Sequence, residues 1–308
     1  MGLQNSKQLF KHAIENNYAI GAFNFVNLET LSAILDAATE LNSPVIVQCS
    51  TGAIKYAGIK EIAAMVQAKA DNLQVILNLD HGKTFEDCKN AIDNGFTNVM
   101  IDASSLPFEE NIALTKQVVE YAHSKNVTVE AELGVLAGVE DEVSASSDDA
   151  KYTNPQQAKE FVERTGVDSL AIAIGTSHGT HKFAGEAKLR FDILEQIEDL
   201  LPGFPLVLHG ASSIPQDMVK LAEQYGAKLK GANGIPEEML QVATTKHNVV
   251  KVNVDSDLRI AFTAGIREIL NTKPETVDLR DYLKQGKKYV TEVVKNKMIS
   301  VFNSAHKA

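Results

Sequence analysis

Apolar residues rich in Val, Ile and Leu gather in eight short runs, at 19–23, 44–48, 75–79, 98–101, 127–132, 169–174, 205–208 and 249–253. Such short, near-continuous runs predict strands buried on both faces. Between them, apolar positions recur at helical spacing over 28–41, 59–70, 85–94, 108–124, 155–164 and 189–200. Parallel strands need long crossovers, so this alternation predicts a parallel sheet covered by helices, and eight units predict a closed (β/α)8 TIM barrel. An open doubly wound sheet would place a glycine-rich turn after its first strand. That position reads Ala22-Phe23-Asn24-Phe25-Val26. No composition shift or Gly/Ser linker divides residues 1–308, which reads as a single domain. Two stretches stand outside the alternation: a polar, acidic loop at 134–153, expected to be a mobile loop, either a lid or a disordered segment, and a tail from about 274 whose patterning predicts extra C-terminal helices.

Charge and cysteine content narrow the function classes. The 308 residues carry 40 Asp+Glu against 30 Lys+Arg, a net charge of -10, which argues against a general electrostatic grip on nucleic acid or anionic membrane. An anionic substrate therefore needs a locally built pocket. Cys49 and Cys88 both lie in apolar-patterned stretches and read as reduced, buried thiols of a cytoplasmic protein. No leader pattern or spanning apolar run occurs, so neither secretion nor membrane embedding is expected.

Each apolar run gives way to polar chemistry: Asn24, Ser50, Asp80 with His81, Asp102, Glu132, Thr176-Ser177-His178, His209, and Asn253 with Asp255. In a barrel those strand ends share one rim. With eight histidines and 19 glycines in 308 residues, chance predicts fewer than one His-Gly dipeptide, yet three occur, at His81, His178 and His209. Three imidazoles with an open fourth position describe a catalytic zinc site. The plainer alternative is three hydrogen-bonded loop histidines, the reading given to the other five. Asp80, Asp102 and Glu132 can orient a ligand histidine, bind metal, or act as acid or base; for Glu132 a rim salt bridge is the bland alternative. Gly210-Ala211-Ser212-Ser213 and the helix start after Asn253-Val254-Asp255-Ser256 offer backbone N–H groups suited to phosphate.

These residues carry a resemblance. Gly21-Ala22-Phe23-Asn24, Leu79-Asp80-His81-Gly82, Glu130-Ala131-Glu132-Leu133-Gly134, Gly175-Thr176-Ser177-His178-Gly179, Leu208-His209-Gly210-Ala211-Ser212 and Asn253-Val254-Asp255-Ser256-Asp257 closely resemble the class II, metal-dependent fructose-bisphosphate aldolases, with tagatose-bisphosphate aldolases next. The resemblance implies zinc-dependent, reversible cleavage of fructose 1,6-bisphosphate to dihydroxyacetone phosphate and glyceraldehyde 3-phosphate, in glycolysis or gluconeogenesis. It implies that His81, His178 and His209 bind zinc, that Asp102 and Glu132 help hold metal in alternative positions, and that Asp80 exchanges a proton with the C4 hydroxyl. Asn24, Ser50, Asp255 and Arg259 then contact substrate. Gly179, Lys182, Gly210, Ser212, Asn253 and Ser256 match positions that take the dihydroxyacetone-phosphate end. A second divalent ion and a monovalent cation (Na+ or K+) fit the same site. The resemblance further implies a homodimer or homotetramer in which Arg280 reaches the C6 phosphate of a neighbouring subunit.

Two departures matter. Many relatives carry paired glutamates in the loop where this chain has Val139-Glu140, so Glu140 is read as the base toward the dihydroxyacetone-phosphate carbon. Ser256 stands where threonine is commoner, which keeps the hydroxyl. Three other readings compete: a Schiff-base aldolase using Lys251, which leaves the His-Gly pairs unused; an amidohydrolase-type zinc enzyme, whose usual His-x-His is missing; and a non-catalytic metal or sugar-phosphate binder.

Overall fold

A computed structural model describes residues 2–135, 152–177 and 188–308, together with the backbone of 138–140 and 143–145. The strands are β1 (Ile20–Asn24), β2 (Val45–Ser50), β3 (Val75–Gly82), β4 (Asn98–Ile101), β5 (Thr128–Leu133), β6 (Gly138–Glu140), β7 (Val143–Ala145), β8 (Ser169–Ile172), β9 (Leu206–Leu208) and β10 (Val249–Val254). The helices are α1 (Ser6–Glu15), α2 (Leu28–Glu40), α3 (Thr51–Ala57), α4 (Ile59–Lys69), α5 (Phe85–Asp93), α6 (Phe108–Ser124), α7 (Pro155–Thr165), α8 (Phe191–Leu200), α9 (Gln216–Gln224), α10 (Glu237–Lys246), α11 (Ser256–Thr272) and α12 (Leu279–Asn296). A π-helical turn, Lys297–Val301, continues α12.

Eight strands close the predicted TIM barrel in the order β1-β10-β9-β8-β5-β4-β3-β2, every pair parallel. Side chains alternate across each strand. Val45, Val47, Val75, Leu77 and Leu79 face outward and pack under the helices. Ile46 and Ile76 face inward at the lower end, where Leu9 and Phe10 of α1 plug the barrel beneath Ile20 and Ala22. That plug was not among the predicted helices. Its start is set by Asn5, whose side chain accepts from the Lys7 N–H, an N-cap that offsets one orphan donor of the first turn.

The strand starts match the apolar runs to within a residue or so, but three strand ends do not: β8 stops at Ile172, two residues short of its run. β2 runs on to Ser50 and β3 to Gly82, because the ladder pairs backbone groups whatever the side chain, and Ser50 still sits opposite Asp80. The stretch read as an open loop at 134–153 also contains a hairpin, β6 with β7, in which Glu140 faces Val143. Two three-residue strands are too short for alternation to reveal. The tail forms α12, which packs on α11 and α2.

Candidate active site

One backbone irregularity assembles the centre. Between β3 and β4, Leu79 pairs with Val99 and Gly82 with Ile101, so three steps on β3 answer two on β4. This is a β-bulge, and His81 takes the left-handed conformation in it, at φ 52°. Adjacent strand residues ordinarily point to opposite faces, but the extra residue lets Asp80 and His81 both face the mouth. Gly82 lies where a Cβ would come within 2.8 Å of the Met100 carbonyl, which accounts for the glycine after this histidine.

The two described histidines of the His-Gly set meet there. His81 Nε2 lies 3.0 Å from His209 Nδ1, and 4.0 Å from Asp80 Oδ1. The far side of each ring is fixed by a buried carboxylate: His81 Nδ1 by Asp102 at 2.9 Å and His209 Nε2 by Glu130 at 2.6 Å. Each carboxylate engages one nitrogen of its ring and fixes the ring's orientation, so the other two nitrogens, His81 Nε2 and His209 Nδ1, are turned toward each other. Asp80, His81 and His209 bring one ligand atom each within 4.8 Å of one another, as do His81, Asp102 and Glu132. Glu132 Oε2 is buried with no hydrogen-bond partner among the described residues. Facing imidazole nitrogens, a carboxylate beside them and an orphaned carboxylate oxygen are the donor set of a divalent metal centre, and zinc fits it.

Electrostatics agree with a site built for a cation. Burial disfavours a charged His81, but Asp80, Asp102 and Glu132 outweigh it and lift the ring to about 9. Burial, then the charge of Asp102, pushes Glu132 up to about 8. Glu130 is equally buried, yet Lys251 and His209 hold it down at about 2, while burial takes His209 to about 4. Asp102 stays well below the usual carboxylate range because His81 and Lys83 overcome its burial.

Asp80 is aimed by two amides. Asn24 donates to its Oδ2 at 2.8 Å and Asn253 to its Oδ1 at 3.1 Å. Asn24 is itself the top of a buried chain of six hydrogen bonds, each donor pointing toward Asp80: Ser6 to Thr128, Thr128 to Asn98, Asn98 to Asn78, Asn78 to Gln48, Gln48 to Asn24, and Asn24 to Asp80.

With this geometry in hand, comparison with known proteins is decisive. The sequence model described as "Fructose-bisphosphate aldolase class-II" matches residues 4–229 and 228–307. The chain belongs to the class II fructose-bisphosphate aldolase family. It is similar to a fructose-bisphosphate aldolase of Treponema pallidum, 47% identical over 100% of this chain and 98% of the relative. It is also similar to one from Giardia intestinalis, 45% identical over 99% and 94%. Among solved structures, the YdjI aldolase of Escherichia coli K12 superposes with a TM-score of 0.81 at 32% identity, covering 99% of each chain.

Several of the other candidate positions of this class II aldolase family member lie at the same rim. Ser50 ends β2 and caps α3 through the Ala53 N–H. Gly210 has φ 58°, and a Cβ there would come within 2.6 Å of the Ser177 backbone, so glycine is required where the two loops touch. Ser212, Ser256 and Asn253 are buried at the same rim. Asp255 is buried and paired with Arg259, Arg259 Nε donating to its Oδ1 at 2.9 Å. These two and Asn24 border a cavity of about 440 Å³, walled by Phe25, Tyr56 and Phe262. Arg280 is not drawn in: it is 89% exposed at the start of α12 and pairs with Asp278. His178, Gly179 and Lys182 lie outside the described residues, as does the side chain of Glu140.

Glu130 and Lys251 are the site residues that sequence reasoning missed or misplaced. Both are fully buried, and Lys251 Nζ lies 2.8 Å from Glu130 Oε2. A lysine tied to a carboxylate inside the barrel is unsuited to Schiff-base chemistry, which needs a neutral amine at the mouth. Its work is to hold Glu130 against His209. The available signal was parity: Gln48, Asn78, Asn98, Glu130 and Lys251 each interrupt an apolar strand at an inward position.

Proposed function

We propose that the protein is a zinc-dependent fructose-1,6-bisphosphate aldolase that cleaves its substrate reversibly to dihydroxyacetone phosphate and glyceraldehyde 3-phosphate. The observation that carries this reading is Asp80, oriented by two amides, beside the facing nitrogens of His81 and His209. Family membership supplies the reaction. His81, His209 and His178 would hold the zinc, which supplies Lewis acidity toward the substrate ketone and its C3 hydroxyl when bound. His81, Asp102 and Glu132 are the set for a second divalent ion.

The rest of the work belongs to the chain. Asp80 accepts the C4 hydroxyl proton as the C3–C4 bond breaks, and its two amide donors keep one lone pair aimed at that hydroxyl. Glu140, carried on β6, returns a proton to C3 of the dihydroxyacetone-phosphate half and removes it in the reverse direction. The C1 phosphate sits against the backbone of 210–213 and the N-terminus of α11, with Gly179 and Lys182, beside a monovalent cation; the helix terminus favours the anion. A purified preparation that releases no dihydroxyacetone phosphate from fructose 1,6-bisphosphate overturns the proposal.

Substrate choice is assigned to Asp255. Fructose and tagatose bisphosphates differ at C4, and a buried carboxylate that bonds one epimer leaves an unpaired polar group against the other. Asp255→Ala is expected to narrow the preference for fructose bisphosphate by about tenfold or more, measured as the ratio of kcat/KM values. An unchanged ratio moves discrimination elsewhere.

The far phosphate is assigned to Arg280 of a neighbouring subunit in a homodimer, with Arg259 beside the mouth cavity. Exposure of Arg280 suits that role, since a guanidinium turned out to solvent can pair bidentately with a phosphate. Arg280→Ala should weaken use of fructose bisphosphate and spare proton exchange at dihydroxyacetone phosphate. Hybrid dimers formed by mixing Arg280→Ala with Asp80→Ala subunits should regain about one working site in two by the two-fold symmetry of such dimers. Verified subunit exchange with no recovery shows that Arg280 acts in its own subunit or not at all.

A further inference from the structure

A buried cluster behind the rim takes no part in the chemistry of the metal centre. Asp257, on the first turn of α11, is fully buried and does not cap its own helix. Its carboxylate instead accepts from two consecutive backbone N–H groups of the rim loop, Ser213 at 3.3 Å and Ile214 at 2.6 Å. Ile214 has φ 56°, a left-handed conformation that a β-branched residue adopts only when its surroundings force it. Asp257 is in turn held by Lys297 Nζ at 3.1 Å. Lys297 is nearly fully buried and also meets Glu237 at 2.7 Å, and its ammonium donates to Ser213 Oγ. Ser213 Oγ closes the ring by donating to Glu237 at 3.0 Å. Lys297 begins the π-helical turn, and π-turns inside helices recur at functional positions.

We propose that Lys297 is a positioning residue for the C1 phosphate, acting through Asp257 to fix the strained end of the 210–214 loop. The inference rests on reading that loop as part of the phosphate seat. Without the lysine, Asp257 is a buried carboxylate with no cation, and its hold on the Ser213 and Ile214 N–H groups weakens as it seeks solvent or a proton. Ile214 then relaxes out of the left-handed region. Peptide units 211–213 turn with it, and N–H groups aimed at the phosphate are lost from register. A residue more than 80 positions from the loop in sequence thereby governs affinity for one end of the substrate.

Aldol condensation with purified Lys297→Met tests this, because each phosphate is reported by its own KM. The KM for dihydroxyacetone phosphate should rise about tenfold, the scale of one charge-assisted hydrogen bond, while the KM for glyceraldehyde 3-phosphate stays unchanged. Lys297→Arg, which keeps the cation, should restore most of the loss. A lower kcat with both KM values unchanged reports fewer folded molecules only, and overturns the positioning role. Should Lys297→Met fail to fold, Lys297→Met/Asp257→Asn leaves no unpaired ion at this position and carries the same expectation and the same refutation. Ser212→Ala separates the phosphate seat from the lysine behind it. If it leaves the KM for dihydroxyacetone phosphate unchanged, the phosphate seat itself is wrong and the proposal falls with it. If it raises that KM while Lys297→Met does not, only the role of Lys297 is refuted.

Discussion

Chelation is expected to end cleavage of fructose 1,6-bisphosphate by this protein, and zinc or cobalt to restore it. The expected loss is about a thousandfold or more, since Lewis-acid stabilisation of a developing negative charge is worth several kcal/mol and each 1.36 kcal/mol is a factor of about ten. The ground is the pairing of His81 Nε2 with His209 Nδ1 at 3.0 Å, each ring backed by its own carboxylate. Loss of either histidine leaves fewer than the three protein ligands that a catalytic zinc ordinarily keeps. Borohydride added with dihydroxyacetone phosphate should trap no covalent adduct, because Lys251 is fully buried against Glu130. Activity that survives verified metal removal, or an adduct on any lysine, reverses this conclusion.

Asp80→Ala should lose cleavage by about a hundredfold to ten-thousandfold, the usual range for removing a general base, yet still exchange the C3 proton of dihydroxyacetone phosphate. Glu140→Ala should do the opposite, suppressing exchange most. The two assays divide the reaction at the carbon–carbon bond. Exchange needs no C4 hydroxyl, so the group that handles that hydroxyl is idle in it. Asp80 has the surroundings for a base with one direction of approach: Asn24 holds one oxygen and Asn253 the other. Equal losses of both activities in both variants would show that the carboxylates do not divide the work in this way.

The barrel was legible because its strands are buried on both faces, and that burial leaves runs such as Pro44-Val45-Ile46-Val47 that no surface strand would show. The rim chemistry was legible for a related reason: polar residues at the ends of apolar runs converge once the strands close into a ring. The chain kept other features back. Nothing in Leu79-Asp80-His81-Gly82 states that β3 continues through these residues with a bulge, because one extra residue changes register without changing composition. Glu130 belongs to a recognisable motif, but its service to His209 depends on an inward direction that parity alone suggests. Lys251 reads as a candidate nucleophile because sequence cannot reveal that a carboxylate lies 2.8 Å from its amine. The hairpin of β6 and β7 and the plug helix α1 went unseen, the first for brevity and the second because a lone ten-residue amphipathic helix before the first strand has no partner in the alternation.

The hydrogen-bonded chain from Ser6 to Asp80 has a sense as well as a path. A primary amide fills nearly the same space when turned over, so shape alone leaves Gln48, Asn78 and Asn98 two-fold ambiguous. Asp80 breaks that tie: its carboxylate only accepts, so Asn24 must present its nitrogen upward and its oxygen down to Gln48. Each amide below inherits the same orientation, until the Thr128 hydroxyl turns its proton to Asn98. A single charge at the mouth therefore polarises a column reaching the opposite end of the barrel, and the aligned dipoles direct their positive ends back at that charge. The interior of this barrel is vectorial, with a top and a bottom written into the orientation of its amides.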